Sequence, residues 1–546
     1  MSATAEVTPR SWLRPRLARW HVVTALIATP VMLPLGVVAV CAVGVERAVW
    51  AHLAEHVLPQ ALVNTAWLLL GVGLGTAVLG TLLAALVALC EFPGRRWLSW
   101  ALLLPLAMPT YVLAVAAVGL LDYAAPLPSA LRALGVGFPD IRSRGGVILV
   151  MTLALYPYVY LVARPAFASQ GLRVLEVGRA LGMGPFRAFL RASLPLARPW
   201  IAGGTLLVLM ETLADFGAVA AFNYDTLTTA IYKAWFGLFS LDAALSVAGV
   251  LILLVLVLLT AESKLRAHRE YTALGVALPR RLPLGRWRWL ATAACLLVLA
   301  LGFVLPLVQL LQWSWTHRHD IGMHDLRLAV HSVSLGLVAA TMTITAAVLL
   351  AYAVRHQADR FTQVCARLAT LGYALPGALL AVGLYVPLAR GTAFISDTWG
   401  IATTVQTSLL LLVLAYGVRF LAVAHTPLAA ALLRIRPSLD EAARLHGVRG
   451  ISLIWKVHLP LLRGSLATAM LLVFVDVMKE MPITLMTRPF GWDTLAIRVF
   501  ELTQEGEWAR AAWPSLTIVL AGLLPVLWLD RGIDAGISGR RRAPAA

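Results

Sequence analysis

Lysine is the scarcest charge in this 546-residue chain: only Lys233, Lys264, Lys456 and Lys479 occur. They follow Tyr232, Ser263, Trp455 and Met478, never a glycine. A P-loop needs Gly-Lys-Ser/Thr, because the lysine reaches phosphates that a glycine-rich backbone cradles. The chain therefore cannot hydrolyse ATP by such a loop, and no nucleophile motif or metal-ligand helix points to another enzymatic activity. Cysteine is also sparse. Cys41, Cys90, Cys295 and Cys365 show no CxxC spacing, which excludes a zinc site or disulfide framework and leaves each as small apolar filler. Charged residues make up 13% of the chain, against about 25% in ordinary soluble domains. No soluble basic domain or reading motif accompanies the net charge of +18, so nucleic acid is not an expected partner.

What fills the space is apolar. Hydrophobic residues reach 60% and mean hydropathy is +0.81. A helical span needs about 20 largely apolar residues. The sequence offers such runs near 22–45, 62–90, 98–120, 146–167, 200–222 and 241–261, then near 288–312, 328–354, 368–389, 401–424, 464–486 and 511–530. The short alternation of a transmembrane β-barrel is missing. An all-α polytopic membrane protein with about twelve transmembrane helices is expected, embedded in a lipid bilayer. Most of the 45 Lys and Arg fall on the side holding the N-terminus, while Arg419 and Lys479 fall well inside spans. The positive-inside rule then places both termini in the cytoplasm. The first run is longer than a signal h-region, which favours an uncleaved span.

The two halves repeat. Leu82-Leu83-Ala84 returns as Leu349-Leu350-Ala351, Pro109 as Pro376, Glu211 and Asp215 as Asp476 and Glu480, and Asp225-Thr226-Leu227 as Asp493-Thr494-Leu495. The offset is nearly constant. The expected organisation is a tail (1–20), a six-span repeat (21–265), a basic linker (266–287), a second six-span repeat (288–530) and a basic tail (531–546). An even number of spans per unit makes the repeats parallel.

Two polar stretches interrupt the apolar pattern, at 171–199 and 427–463. In the first, Phe186, Phe189, Leu190 and Leu194 share one helical face while Arg187, Arg191 and Arg198 share another. Gly182 and Gly184-Pro185 precede that helix, so each loop should be two short helices joined at a glycine bend. An interfacial helix or a lipid attachment would suit one such loop. A matched pair favours two equivalent docking surfaces for a twofold-symmetric cytoplasmic partner. Glu441-Ala442-Ala443, Gly447, Val457 and Leu459-Pro460 closely fit the cytoplasmic motif of binding-protein-dependent ABC importer permeases. Glu176-Val177-Gly178, Gly182, Ala192 and Leu194-Pro195 fit it loosely, lacking the two alanines. The chain thus resembles a fused, double-length permease of that family. The resemblance implies a type I importer fold in a bacterial inner membrane, two copies of an ATP-binding subunit and a periplasmic substrate-binding protein as partners, and no cofactor.

Glu211 to Gly237 and Lys479 to Thr503 resemble segments of the fused permeases of iron(III) importers. Iron(III) is the substrate this implies, with thiamine, phosphonate or another anion as alternatives within the class. A proton-coupled secondary transporter is the alternative from another class; the duplicated loop and the lack of a clearly discontinuous helix pair speak against it. Glu211, Asp215, Asp476, Lys479 and Glu480 fall near the fifth and eleventh spans, where ionisable groups are costly and are paired or functional. Lys479 and Glu480 point apart on a helix, so an Asp215–Lys479 pair across the halves is expected, with a place on the translocation path as the other reading. His317, His319 and His324 with Asp320 and Asp325 read as a solvated periplasmic loop rather than a metal site.

Overall fold

The computed structural model describes residues 19–43, 47–135, 137, 139–170, 173–267, 281–357, 359–399, 408–448 and 450–541. The N-terminal basic residues, most of the expected linker, residues 401–407 and the Cys41 side chain lie outside the described set. The main helices are α1 (Arg19–Val43), α2 (Leu58–Leu89), α3 (Thr110–Leu121), α4 (Arg144–Gln170), α5 (Leu194–Ala214) and α6 (Leu241–Ala267) in the first half. In the second they are α7 (Gly285–Thr316), α8 (Met323–His356), α9 (Gly377–Trp399), α10 (Leu409–Leu433), α11 (Leu459–Lys479) and α12 (Ala512–Arg541). Ten described helices are long and apolar enough to cross a membrane. The count is eleven when the pair Arg95–Ala107 and Thr110–Leu121, bent by 89°, is one span, and the apolar stretch Ala512–Val526 is shorter. The described helices are those of a multi-pass, all-α membrane protein.

Four of the expected runs are broken rather than straight, and local chemistry explains each break. Proline lacks an N–H and its ring clashes with the preceding turn. Before Pro109 the chain therefore tightens into the 3-10 turn Leu104–Ala107 and restarts as α3; before Pro376 it tightens into Leu371–Ala374 and restarts as α9. The fifth and eleventh helices end at carboxylates. Asp215 follows α5 and Glu480 follows α11, and each accepts from amides of the next short helix, Gly217–Ala221 or Pro482–Thr487. These orphan N–H groups at a helix start are what a carboxylate can satisfy in place of water. The expectation of no discontinuous helix is thus overturned: hydropathy averages over a proline that the backbone cannot ignore.

Matching elements pack alike in the two halves. α2 lies along α4 and α5, as α8 lies along α10 and α11. Small residues allow the close approach. A Cβ at Gly80 would sit 2.9 Å from the Tyr156 carbonyl oxygen, so only glycine lets α2 reach α4 there. The outer helices cross over. α1 packs on Arg360–Thr370, α8 and α9 of the second half, and a Cβ at Gly383 would meet Pro34 Cβ at 2.5 Å. Reciprocally, α7 and α12 join the core around α3 and α4. The two hydrophobic cores consequently each draw on both sequence halves. On α2, Trp67, Leu70, Leu74, Val78 and Leu82 form an exposed apolar stripe, a surface suited to lipid and not to water.

Candidate functional site: a charged cavity and two docking loops

The breaks bring polar groups to the middle of the molecule. Around a cavity of about 170 Å³ stand the turn before α3, the end of α5, the end of α11 and the middle of α10. Carboxylates Glu211, Asp215, Asp476 and Glu480 line it together with the cations Arg419 and Lys479. Tyr158, Glu211, Tyr373 and Arg419 also line a larger vestibule of about 1100 Å³, which continues past Glu262 and Ser263 near the end of α6 and Arg367.

The sequence-predicted charges meet here, but not in the expected pairing. Among the described residues no ion pair joins Asp215 to Lys479. Asp215 accepts from Thr110 Oγ1 and from the amides of Ala218 and Val219. Lys479 Nζ donates to the Leu106 carbonyl at 3.0 Å, and Asp476 and Glu211 lie within its electrostatic reach. The buried ion pair is Arg419 Nε with Glu480 Oε2 at 3.1 Å. It is a charge contact more than an aligned hydrogen bond, since Nε has no acceptor in bonding geometry, while Nη1 donates to the Leu375 carbonyl at 2.8 Å. The reason lies in the helix ends. A carboxylate that closes one helix and opens the next is already occupied by backbone amides, and each cation takes a carbonyl freed by a break. Arg419 stood alone inside an apolar run, which was the available signal for it as a counter-ion. Tyr373 Oη donates to Glu211 Oε1 at 2.8 Å across the two halves, a partner that sequence spacing did not suggest.

The two polar loops, 171–199 and 427–463, carry one local design twice. The helices Arg173–Ala180 and Pro437–Leu445 both end at a glycine in the left-handed region, Gly182 with φ 78° and Gly447 with φ 79°. In each, the amide after the glycine reaches back: Met183 N–H to Gly178 O and Val448 N–H to Ala443 O, both at 3.0 Å. That is the 6→1 bond of a Schellman stop. Glu176 and Glu441 are exposed, as are the apolar side chains Val177, Leu181 and Phe186 in one loop and Leu445 and Trp455 in the other. Ala442 is exposed and Ala443 half-buried.

The second helix of each loop is not separate from the following span. It runs into α5 or α11 through a π turn, Phe189–Ser193 or Ile454–His458, closed by Leu194 N–H to Phe189 O and by Leu459 N–H to Ile454 O. Pro195 and Pro460 follow directly, and the wider turn keeps the helix continuous where a proline ring would otherwise strike it. The loops differ in their anchoring. Asp440 is held by Arg355 Nε and His458 Nε2, both at 2.9 Å. Burial alone would raise the Asp440 carboxyl, but the hydrogen bonds from Arg355 and His458 outweigh it and hold it below the ordinary carboxylate value. Leu175 and Ser193 occupy the matching places in the first loop, where Ser193 Oγ donates to Gln170 Oε1 at 2.8 Å. Among the described residues, no three His, Cys, Asp or Glu side chains converge on a metal-holding geometry, the His317–Asp325 loop included.

Residues 343–538 match the model of the family described as the binding-protein-dependent transport system inner membrane component. Over 517 residues the chain is 26% identical to the Fe(3+)-transport system permease protein FbpB 2 of Haemophilus influenzae, covering 93% of this chain and 96% of that one. It is 24% identical over 520 residues to the "Probable ABC transporter permease protein y4fN" of Sinorhizobium fredii, covering 87% and 88%. A shorter match, 29% identical over 144 residues, is to the molybdenum transport system permease protein ModB of Escherichia coli K12, covering 26% and 62%.

Proposed function

We propose that this chain is a fused, double-length permease of a binding-protein-dependent ABC import system and that it conducts iron(III) from a periplasmic binding protein into the cytoplasm. The family match over residues 343–538 and the similarity to an Fe(3+)-transport permease along 93% of the chain support this reading. Such permeases are not enzymes; ATP hydrolysis belongs to separate ATP-binding subunits. In this reading the protein sits in the bacterial inner membrane with both termini cytoplasmic. One ATPase subunit docks on each loop, and closure of the ATPase pair is transmitted through the π turns directly into α5 and α11, whose far ends carry the charged cavity.

The observation that carries the substrate assignment is similarity along nearly the whole chain to an Fe(3+)-transport permease, where the molybdenum match covers about a quarter. The cavity supports it: four carboxylates face two cations, a balance that suits a cation better than an oxyanion. The test is reconstitution of the permease with its ATPase in proteoliposomes, supplied with iron-loaded binding protein. ATP-dependent accumulation of radiolabelled iron(III) is expected. Molybdate uptake without iron uptake would move the substrate to the anions, and uptake driven by a proton gradient without ATP would favour a secondary transporter.

A further inference from the structure

Three phenols border the charged cavity: Tyr111, Tyr158 and Tyr373. The Tyr111 side chain is only 5% exposed, and its hydroxyl has no hydrogen-bond partner. A buried polar group left unsatisfied in this way calls for a ligand or an ordered water. Tyr373 already donates to Glu211, and Tyr158 and Asp476 both lie within electrostatic reach of the Tyr373 hydroxyl. Tyr158, Tyr373 and Glu211 stand where cavity and vestibule join.

Resting on the iron(III) reading above, we propose that Tyr158, Tyr373 and Asp476, backed by Glu211, form a transient oxygen-donor station for a hard trivalent cation midway along the path. Carboxylates alone do not build it, since among the described residues no three converge on a metal-holding geometry; phenol oxygens complete the donor set. Hard cations select oxygen ligands, and a phenolate is among the hardest a protein offers. When the metal–oxygen bond forms at Tyr373, the O–H bond breaks and its proton passes along the existing hydrogen bond to Glu211. The Tyr158 proton leaves to water in the vestibule. The Tyr111 hydroxyl faces a water retained by the metal. Lys479 lies within electrostatic reach of Asp476 and Glu211, so an entering cation must compete with it. Such competition keeps the station weak enough to release its cargo, as a transport pathway requires.

The experiment titrates the full permease, purified with its ATPase, with iron(III) supplied as the nitrilotriacetate complex. Visible phenolate-to-iron charge-transfer absorption is read. Wild type is expected to develop the band, and Tyr158→Phe combined with Tyr373→Phe to lose it. Glu211→Gln is expected to weaken iron binding by about 10–100-fold, as loss of a ligand's hydrogen-bond partner does. Tyr123→Phe, removing an exposed phenol, is expected to change nothing. Thermal unfolding of every variant confirms that it is folded. Absence of the band in wild type, or its persistence in the double variant, overturns the proposal. ATP-driven uptake in the same preparation judges the substrate reading separately. Uptake without a band removes the station and keeps iron as cargo; a band without uptake keeps the station and removes that reading.

Discussion

Arg419 and Glu480 face each other at 3.1 Å with 10% and 6% of their side chains exposed, and they join the middle of α10 to the point where α11 stops. Both charges have left water, so their attraction offsets a desolvation cost that neither could meet alone. Breaking such a pair from one side costs about 3–5 kcal/mol, whereas removing both partners is often neutral. Arg419→Met should lower the thermal unfolding temperature in detergent markedly, and Glu480→Gln added to it should recover most of the loss. Additive losses would show that the contact does not couple the two residues.

Asp215 and Lys479 provide the contrast. Asp215 caps Gly217–Ala221 and Lys479 binds the Leu106 carbonyl, so they share no hydrogen-bond partner, although Glu211 lies within electrostatic reach of both. Asp215→Asn and Lys479→Met should therefore couple only weakly, by about 0.5 kcal/mol in a double-mutant cycle, through the cavity they share. A coupling several times larger would mean that the two charges meet in another state of the protein.

Gly447 isolates the role of backbone geometry in the second docking loop. A Cβ there meets nothing within 4 Å, so any penalty for a side chain comes from its φ of 79°. Left-handed backbone costs ordinary L-residues about 1–2 kcal/mol, and asparagine less. Gly447→Val should reduce ATPase retention and ATP-driven uptake without changing the amount of protein in the membrane, and Gly447→Asn should keep most of both. Equal behaviour of the two variants would separate the bend from coupling.

Anchoring makes the loops unequal. Asp440 ties the second loop to α8 through Arg355 and to the π turn through His458. A carboxyl held below its ordinary value contributes stability that is complete above the unfolded value, about 3.9. That contribution is lost as pH falls through the lower, folded value. The loop should hold its ATPase undiminished from neutral pH down to about pH 5, while Asp440→Asn should loosen it at neutral pH. Retention in a pull-down across this range is the measurement, and a loss centred near neutrality would contradict the assignment.

The exposed glutamates extend the comparison. Gly178 stands in the first loop where Ala443 stands in the second, and glycine weakens a helix by about 1 kcal/mol relative to alanine. Glu441→Ala should therefore reduce ATPase association at least as much as Glu176→Ala. A much larger loss from Glu176→Ala would reverse the order of the two loops.

The sequence by itself determined the membrane setting, the repeated landmarks and the glycine bends. Each of these is written in local terms: an apolar run long enough to cross, a proline without an N–H, a glycine where φ is positive. Pro109 and Pro376 were visible as a repeated pair, yet the breaks they cause were not, because hydropathy carries no record of hydrogen-bond geometry. Tertiary structure alone decided which charges meet. It turned α10 so that Arg419 reaches Glu480, and it placed Leu106 beside Lys479 and Tyr373 beside Glu211. It also carried α1 and α7 across to the opposite halves, so that neither core is contiguous in sequence. The reason is the low dielectric of the interior. A buried charge takes whichever partner lies within bonding distance, and that distance is fixed by helix breaks and crossings between segments hundreds of residues apart, not by spacing along the chain.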